Sequence, residues 1–258
     1  MFMRVLMEKE GELMSLFKGP MREHLNGQKE LTEHKETVVL KPSVVYIPVT
    51  AGYDPNPNIL VNVGDKVKVG TKIAAFEARF VVPVFASVSG TVIAIEDRMH
   101  QSLRKVKHIV IESDGLFEKE TGNPTIDWEN ASREELIEFM KNAGIIGCGG
   151  AGFPSYVKYA GAKDVKELII NAVECEPFIT SDYKLVEENF EMMLMGVKAM
   201  KKMAQAPIAK IAIKKSHPEL IELVNKKLQG VEGIVCTPVP DVYPMGWERT
   251  LIYEINSG

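Results

Sequence analysis

Gly144-Ile-Ile-Gly-Cys-Gly-Gly-Ala-Gly-Phe-Pro-Ser-Tyr-Val-Lys158, followed after a short spacer by Leu168-Ile-Ile-Asn-Ala-Val-Glu-Cys-Glu-Pro177, is the stretch on which the reading of the fold turns. Gly147, Gly149, Gly150 and Gly152 carry no side chains, so their backbone N–H groups can approach a ligand closely. Pro154 suits the first position of a helix, where a missing N–H costs nothing. A glycine loop feeding a helix N-terminus gathers free N–H groups and the helix dipole at one point, which favours an anion. Lys158, one turn further on, adds a positive charge. The stretch predicts a cradle for a phosphate or flavin phosphate. Its plainer readings are a structural glycine turn and an exposed lysine on a short helix.

Downstream, strand and helix alternate. Leu168–Asn171 reads as a buried strand, and Asp182 as the cap of a long helix from about Tyr183 to Ala204. Leu185, Met192, Leu194, Met195, Val197 and Met200 form that helix's apolar face. Pro207–Ile213 is the next strand, Pro218–Leu228 a helix closed by Gly230, and Gly233–Thr237 a third strand. This alternation implies a parallel sheet with flanking helices, whose ligands sit beyond the carboxyl ends of the strands. Asn171, Glu174 and Glu176 follow the first strand, and the loop 241–248 follows the third.

Upstream the texture is different. Thr37–Leu40, Val44–Pro48, Lys66–Val69, Lys72–Phe76, Val81–Phe85, Thr91–Glu96 and His108–Glu112 read as short strands punctuated by Gly and Pro. Many short strands suggest a sandwich or closed barrel. Val63-Gly-Asp-Lys-Val-Lys-Val-Gly70 and Pro83-Val-Phe-Ala-Ser-Val-Ser-Gly-Thr-Val92 resemble the barrel-sandwich hybrid of lipoyl and biotinyl carrier domains. A carrier needs a lysine on the exposed hairpin, and here that hairpin is Glu77-Ala78-Arg79-Phe80; an arginine cannot form the amide. Residues 1–36 read as a solvated arm with one helical turn near Glu12–Phe17, and 114–131 as a linker. Ser132 with Glu135 marks a capping box for a helix over 133–142. The expected organisation is α+β: an arm (1–36), a β barrel-sandwich hybrid (37–113), the linker, and an α/β domain with a parallel sheet (132–258).

Composition excludes several classes. A net charge of -4, with no basic run interleaved with aromatics, argues against a dedicated nucleic-acid binder. No apolar run reaches the length of a membrane span, and Glu8, Glu10 and Glu12 stand where a signal peptide needs its apolar core. The three cysteines, Cys148, Cys175 and Cys236, suit a reducing compartment. With no Cys-x-x-Cys and five scattered histidines, the chain offers no iron–sulfur or zinc ligand set, so no metal site is expected. Gly147, Gly149 and Gly152 also satisfy Gly-x-Gly-x-x-Gly, with Glu174 about twenty residues on. However, a dinucleotide fold needs a strand before that motif, and here a helix precedes it.

Taken together, Gly147–Lys158, Asn171–Pro177 and Tyr243-Pro-Met-Gly-Trp-Glu248 resemble the RnfC family of the Rnf electron-transport complex. More distantly they resemble the flavin-carrying subunit of respiratory complex I. The resemblance implies FMN and NAD(H) as cofactors, with electrons passed from NADH through the flavin to iron–sulfur or membrane-bound partner subunits. It also implies a cytoplasmic chain peripheral to the inner face of the cell membrane. Gly147, Gly149 and Gly150 would meet FMN and NADH through their backbones, and Lys158 and Asn171 would hydrogen-bond the flavin. Phe153 would stack on adenine, while Glu176 and Glu248 would bind hydroxyl groups. Glu174 would sit near the reacting edge, and Gly246 would let backbone approach the ring. Glu174 and Lys158 are the catalytic candidates, Lys158 by stabilising an anionic reduced flavin. This requires the amides around residue 150 and the polar side chains after Leu168–Asn171 to face one hollow.

The chain also departs from the family. Val173 stands where complex I has an acid, Trp247 where a small residue is expected, and Cys148 lies inside the glycine loop. Cys148 and Cys175 read as ordinary thiols or as a redox pair. Family members continue beyond Ile255, so the flavin domain reads as incomplete at Gly258. Two rivals share the resemblance: an electron-transfer protein that accompanies proline reductase, and a non-catalytic assembly subunit that keeps the fold.

Overall fold

The computed structural model describes residues 4–7, 22–50, 57–148 and 152–257. Gly149, Gly150 and the turn expected near Glu12–Phe17 lie outside the described residues. Two compact units emerge, one of residues 38–160 and one of residues 1–37 with 161–258. In this division the helix after Ser132 and the glycine loop group with the β-rich strands.

A strand β1 (Arg4–Met7) comes first and belongs to the second unit. In the unit 38–160, β2 (Val44–Pro48), β3 (Asn58–Ile59), β4 (Lys66–Val67), β5 (Lys72–Ala75), β6 (Val84–Phe85), β7 (Gly90–Met99) and β8 (Lys105–Ser113) form two antiparallel sheets. Their orders are β2-β8-β7-β4 and β3-β5-β6. Val49, Val67, Ile73, Val88, Val92, Ile109 and Ile111 make their buried apolar core. Branched residues suit the pleated faces that build it. The β5–β6 connection turns at Ala78–Phe80, with Phe80 at φ 59 and Arg79 exposed. Residues 37–40, expected as a strand, pair with no strand among the described residues. Val38 and Leu40 are 77% and 81% exposed, so their β propensity finds no partner edge.

Helix α1 (Arg133–Asn142) starts at the expected capping box: Ser132 accepts from the Glu135 amide at 3.2 Å, and Glu135 accepts from the Ser132 amide at 2.7 Å. It stops at Gly144, φ +74, where a side chain would strike Phe85 and the Pro83 carbonyl. The glycine loop then doubles back. Gly147 N–H donates to the Phe153 carbonyl (2.9 Å) and Ser155 N–H to the Ile145 carbonyl (3.0 Å), leading into α2 (Ser155–Ala160).

In the other unit, β9 (Glu167–Asn171), β10 (Ile208–Lys214) and β11 (Ile234–Val239) run parallel, as the strand–helix alternation requires. β9 is buried along its whole length. β1 adds antiparallel to it, with Arg4 opposite Asn171. Residues 4–7, expected within a solvated arm, are therefore part of the sheet. Pro238 is tolerated because, among the described residues, β11 is an edge strand that pairs with β10 alone.

The single helix expected from Tyr183 to Ala204 is two, α3 (Ser181–Glu188) and α4 (Phe190–Ala204), broken at Asn189 with φ -130. The break re-phases α4. Phe190, Met193, Leu194 and Val197 are buried, while Met192 and Met195, expected inside, are exposed. Asp182 is not the cap of α3: Thr180 holds that position, and Asp182 is buried in the first turn. Helix α5 (Pro218–Lys227) follows β10. α6 (Glu248–Ser257), which the periodicity did not announce, follows β11.

Candidate functional site

The carboxyl ends of β9, β10 and β11 each deliver a polar loop. Asn171, the last residue of β9 and only 6% exposed, turns its amide across to the loop after β11. Its Nδ2 donates to the Gly246 carbonyl at 2.9 Å, and its Oδ1 accepts from the Val173 amide at 3.1 Å. Gly246 N–H in turn donates to the Cys175 sulfur. A side chain at Gly246 would collide with the Val173 carbonyl, so this close approach of two loops requires glycine. The departure at Val173 has a physical reason. It is 4% exposed and packs with Met245 and Leu251, where an acid would be stranded.

The site residues after β9 are braced as well. Glu174 accepts from the Ser181 hydroxyl at 2.7 Å and from the Tyr183 amide at 3.5 Å, so its carboxylate caps the N-terminus of α3. Glu176 is exposed. Glu248 opens α6, where the helix dipole favours a carboxylate. Trp247 is 46% exposed, with the Arg249 guanidinium 5.9 Å from its ring centre. Asn171, Cys175 and Gly246 are thus brought into direct contact, with Glu174 and Glu248 on the same two loops.

In the unit 38–160, Gly147 has its N–H engaged within the loop, and Gly152 takes a positive φ of 62°. Phe153 is exposed, its ring 6.3 Å from that of Phe80. Lys158 is exposed on α2. Cys148 is an exposed free thiol, and Cys175 a half-buried one.

Residues that motif reading missed line a cleft of about 540 Å³ at the ends of the parallel strands: Lys29, Tyr183, Lys214 and His217, beside Cys175 and Asp241. Lys214, almost fully buried, pairs with Asp241 at 2.6 Å. Burial pushes the Asp241 carboxyl up, but the Lys214 ammonium and a Ser216 hydrogen bond outweigh it and hold the group below its usual range. Burial pushes the Cys175 thiol up, partly offset by the Gly246 amide and by Lys214. Burial, then Glu187 and Glu219, raises Tyr183 to about 12. The one sequence signal for this cleft was its position at the strand ends.

His217 packs against Tyr183 with ring centres 5.0 Å apart. Burial lowers its pKa below the ordinary value, against the pull of Glu219 and Glu33. The unfolded chain therefore takes up this proton first as pH falls through the ordinary histidine value, and the fold loses stability there. Urea midpoints should drop between about pH 7.5 and about pH 5.5, and the drop should shrink in His217→Asn, a residue suited to the helix-cap position that His217 occupies. An unchanged slope in that variant would assign the acid sensitivity elsewhere.

Among the described residues no group of three or more His, Cys, Asp or Glu could hold a metal ion, and no helix is long and apolar enough to cross a membrane. Comparison with known families matches residues 17–116 to the RnfC barrel sandwich hybrid domain and residues 140–258 to the Nuo51 FMN-binding domain. Among curated proteins the chain is 34% identical over 244 residues to the C subunit of the proton-translocating ferredoxin:NAD(+) oxidoreductase complex of Clostridium ljungdahlii, covering 93% of this chain and 53% of that protein. It is 34% identical to the Na(+)-translocating counterpart of Acetobacterium woodii, covering 84% and 49%. It is 35% identical to the C subunit of an ion-translocating oxidoreductase complex of Haemophilus influenzae, covering 83% and 34%. The chain spans about half the length of the first two relatives and about a third of the third. With a barrel-sandwich hybrid followed by a parallel-sheet domain of the Nuo51 FMN-binding type, the chain belongs to the RnfC family.

Proposed function

We propose that the chain is an electron-transfer subunit that carries FMN, oxidises NADH and hands the electrons on to partner subunits. The observation that carries this reading is the lock between Asn171 and Gly246, which holds the loops after β9 and β11 together inside the region that matches the FMN-binding family. The donor set supports it. Glu176 and Glu248 offer carboxylates to the hydroxyl groups of a nucleotide, and one amide hydrogen of Asn171 is left over after its bond to Gly246. Bound FMN would supply the hydride and electron chemistry that amino-acid side chains lack. The chain's residues bind and orient. Asn171 fixes the floor, Glu176 and Glu248 take hydroxyls, and Gly246 admits the ring. For the unit 38–160 taken by itself, the sequence motif supports the proposal that Gly147, Gly149, Gly150 and Gly152 offer backbone amides, Lys158 a positive charge and Phe153 a stacking face to a nucleotide.

A non-catalytic subunit is the second reading, favoured by Glu174, whose carboxylate is engaged on α3 rather than turned to a ligand. One experiment separates the two. The chain reconstituted with FMN is expected to keep the flavin through gel filtration and to lose its visible absorption band on anaerobic addition of NADH. A colourless protein after gel filtration would favour the non-catalytic reading. Docking onto partner subunits, and through them onto a membrane, is proposed from the company its relatives keep.

A further inference from the structure

The N-terminal residues from Arg22 to Thr37 lie across the loops that carry the proposed cofactor residues. Glu23 exchanges backbone hydrogen bonds with Tyr243, and Arg22 pairs with Glu254 on α6 at 2.5 Å. Gly27 accepts from the Phe178 amide at 2.8 Å, and the Thr32 hydroxyl donates to the Phe178 carbonyl at 2.7 Å. Lys29 lies at the centre of these contacts. Its ammonium donates to the Glu176 carbonyl at 3.2 Å and to the Ile179 carbonyl. Both acceptors are backbone, and between them the chain turns through Phe178 at a positive φ of 63°. No helix or strand holds residues 172–180, so contacts from elsewhere in the chain fix their course.

We infer that Lys29 is a positioning residue: from the N-terminal arm it pins the Glu176–Ile179 turn, and so sets where Glu176 presents its carboxylate. The consequence for FMN rests on the function proposed above; the pinning of the loop does not. A charged donor bridging two carbonyls cross-links the turn, and a hydrogen bond from an ammonium is stronger than one from a neutral donor. Nothing in the charge pattern of residues 22–37 singles out Lys29 from Lys35, which has no such partner in the contacts above.

The test uses the full chain with Lys29→Met, Lys29→Arg and, as a milder release of the same loop, Thr32→Val. Amide hydrogen exchange without cofactor is expected to speed up about tenfold across residues 174–181 in Lys29→Met, with β9–β11 unaffected. FMN affinity, read by flavin fluorescence, is expected to fall about tenfold, and Lys29→Arg to return to within about threefold of the parent. Thr32→Val should show the same exchange pattern at smaller size. Unchanged exchange over residues 174–181 would overturn the inference, as would a uniform speeding of the whole sheet. Local loosening in a protein whose parent never binds FMN would sustain the inference and defeat the cofactor reading.

Discussion

Gly246→Ala is expected to cost roughly 2–4 kcal/mol of stability and to weaken FMN binding at least about tenfold. The new methyl group would meet the Val173 carbonyl and lie 3.0 Å from the Cys175 sulfur. Neither neighbour can yield easily. Val173 is 4% exposed and packed among Ala212, Met245 and Leu251, so moving its carbonyl disturbs the core beneath the site. The loop after β11 must lift instead. That breaks the Gly246 bonds to Cys175 and Asn171. Urea unfolding checks the first effect and flavin fluorescence the second. A variant as stable as the parent would show that the loops are not in contact as described.

Asn171→Leu has a comparable expected effect by a different route. Leucine fills nearly the same volume at a position 6% exposed, so no large cavity forms. What is lost is polar: the Gly246 carbonyl and the Val173 amide each lose their Asn171 partner near the end of a buried strand. About 1–3 kcal/mol is expected for each group left unpaired, and the two loops are then free to part. Asn171→Asp distinguishes the two bonds, because it keeps the acceptor for Val173 and opposes a carboxylate to the Gly246 carbonyl. If Asn171→Asp binds FMN like the parent, the link to Gly246 does not shape the site.

Local chemistry was legible in the sequence and long-range pairing was not. The capping box at Ser132 and Glu135 involves residues three apart, and α1 begins where those letters place it. β9, β10 and β11 announced themselves by apolar runs, and the strand-end rule pointed to Asn171 and the 241–248 loop. The break at Asn189 was hidden because an apolar stripe spans both α3 and α4, and only the backbone turn separates them. β1 was hidden because its pairing with β9 joins residues far apart in the chain. Lys29 was hidden for the same reason: a lysine in a charged arm reads as solvated until its carbonyl partners are known. Glu174 was found but its local partner was not, since nothing in Glu-Cys-Glu-Pro shows that α3 will present its amide end to that carboxylate.

FMN is proposed to bind at the carboxyl ends of β9–β11. Titrating FMN into the chain while following amide protection tests it most directly. Stoichiometric quenching at micromolar protein is expected, with new protection concentrated at residues 171–177 and 243–248. Quenching without protection there, or no binding at all, would contradict it.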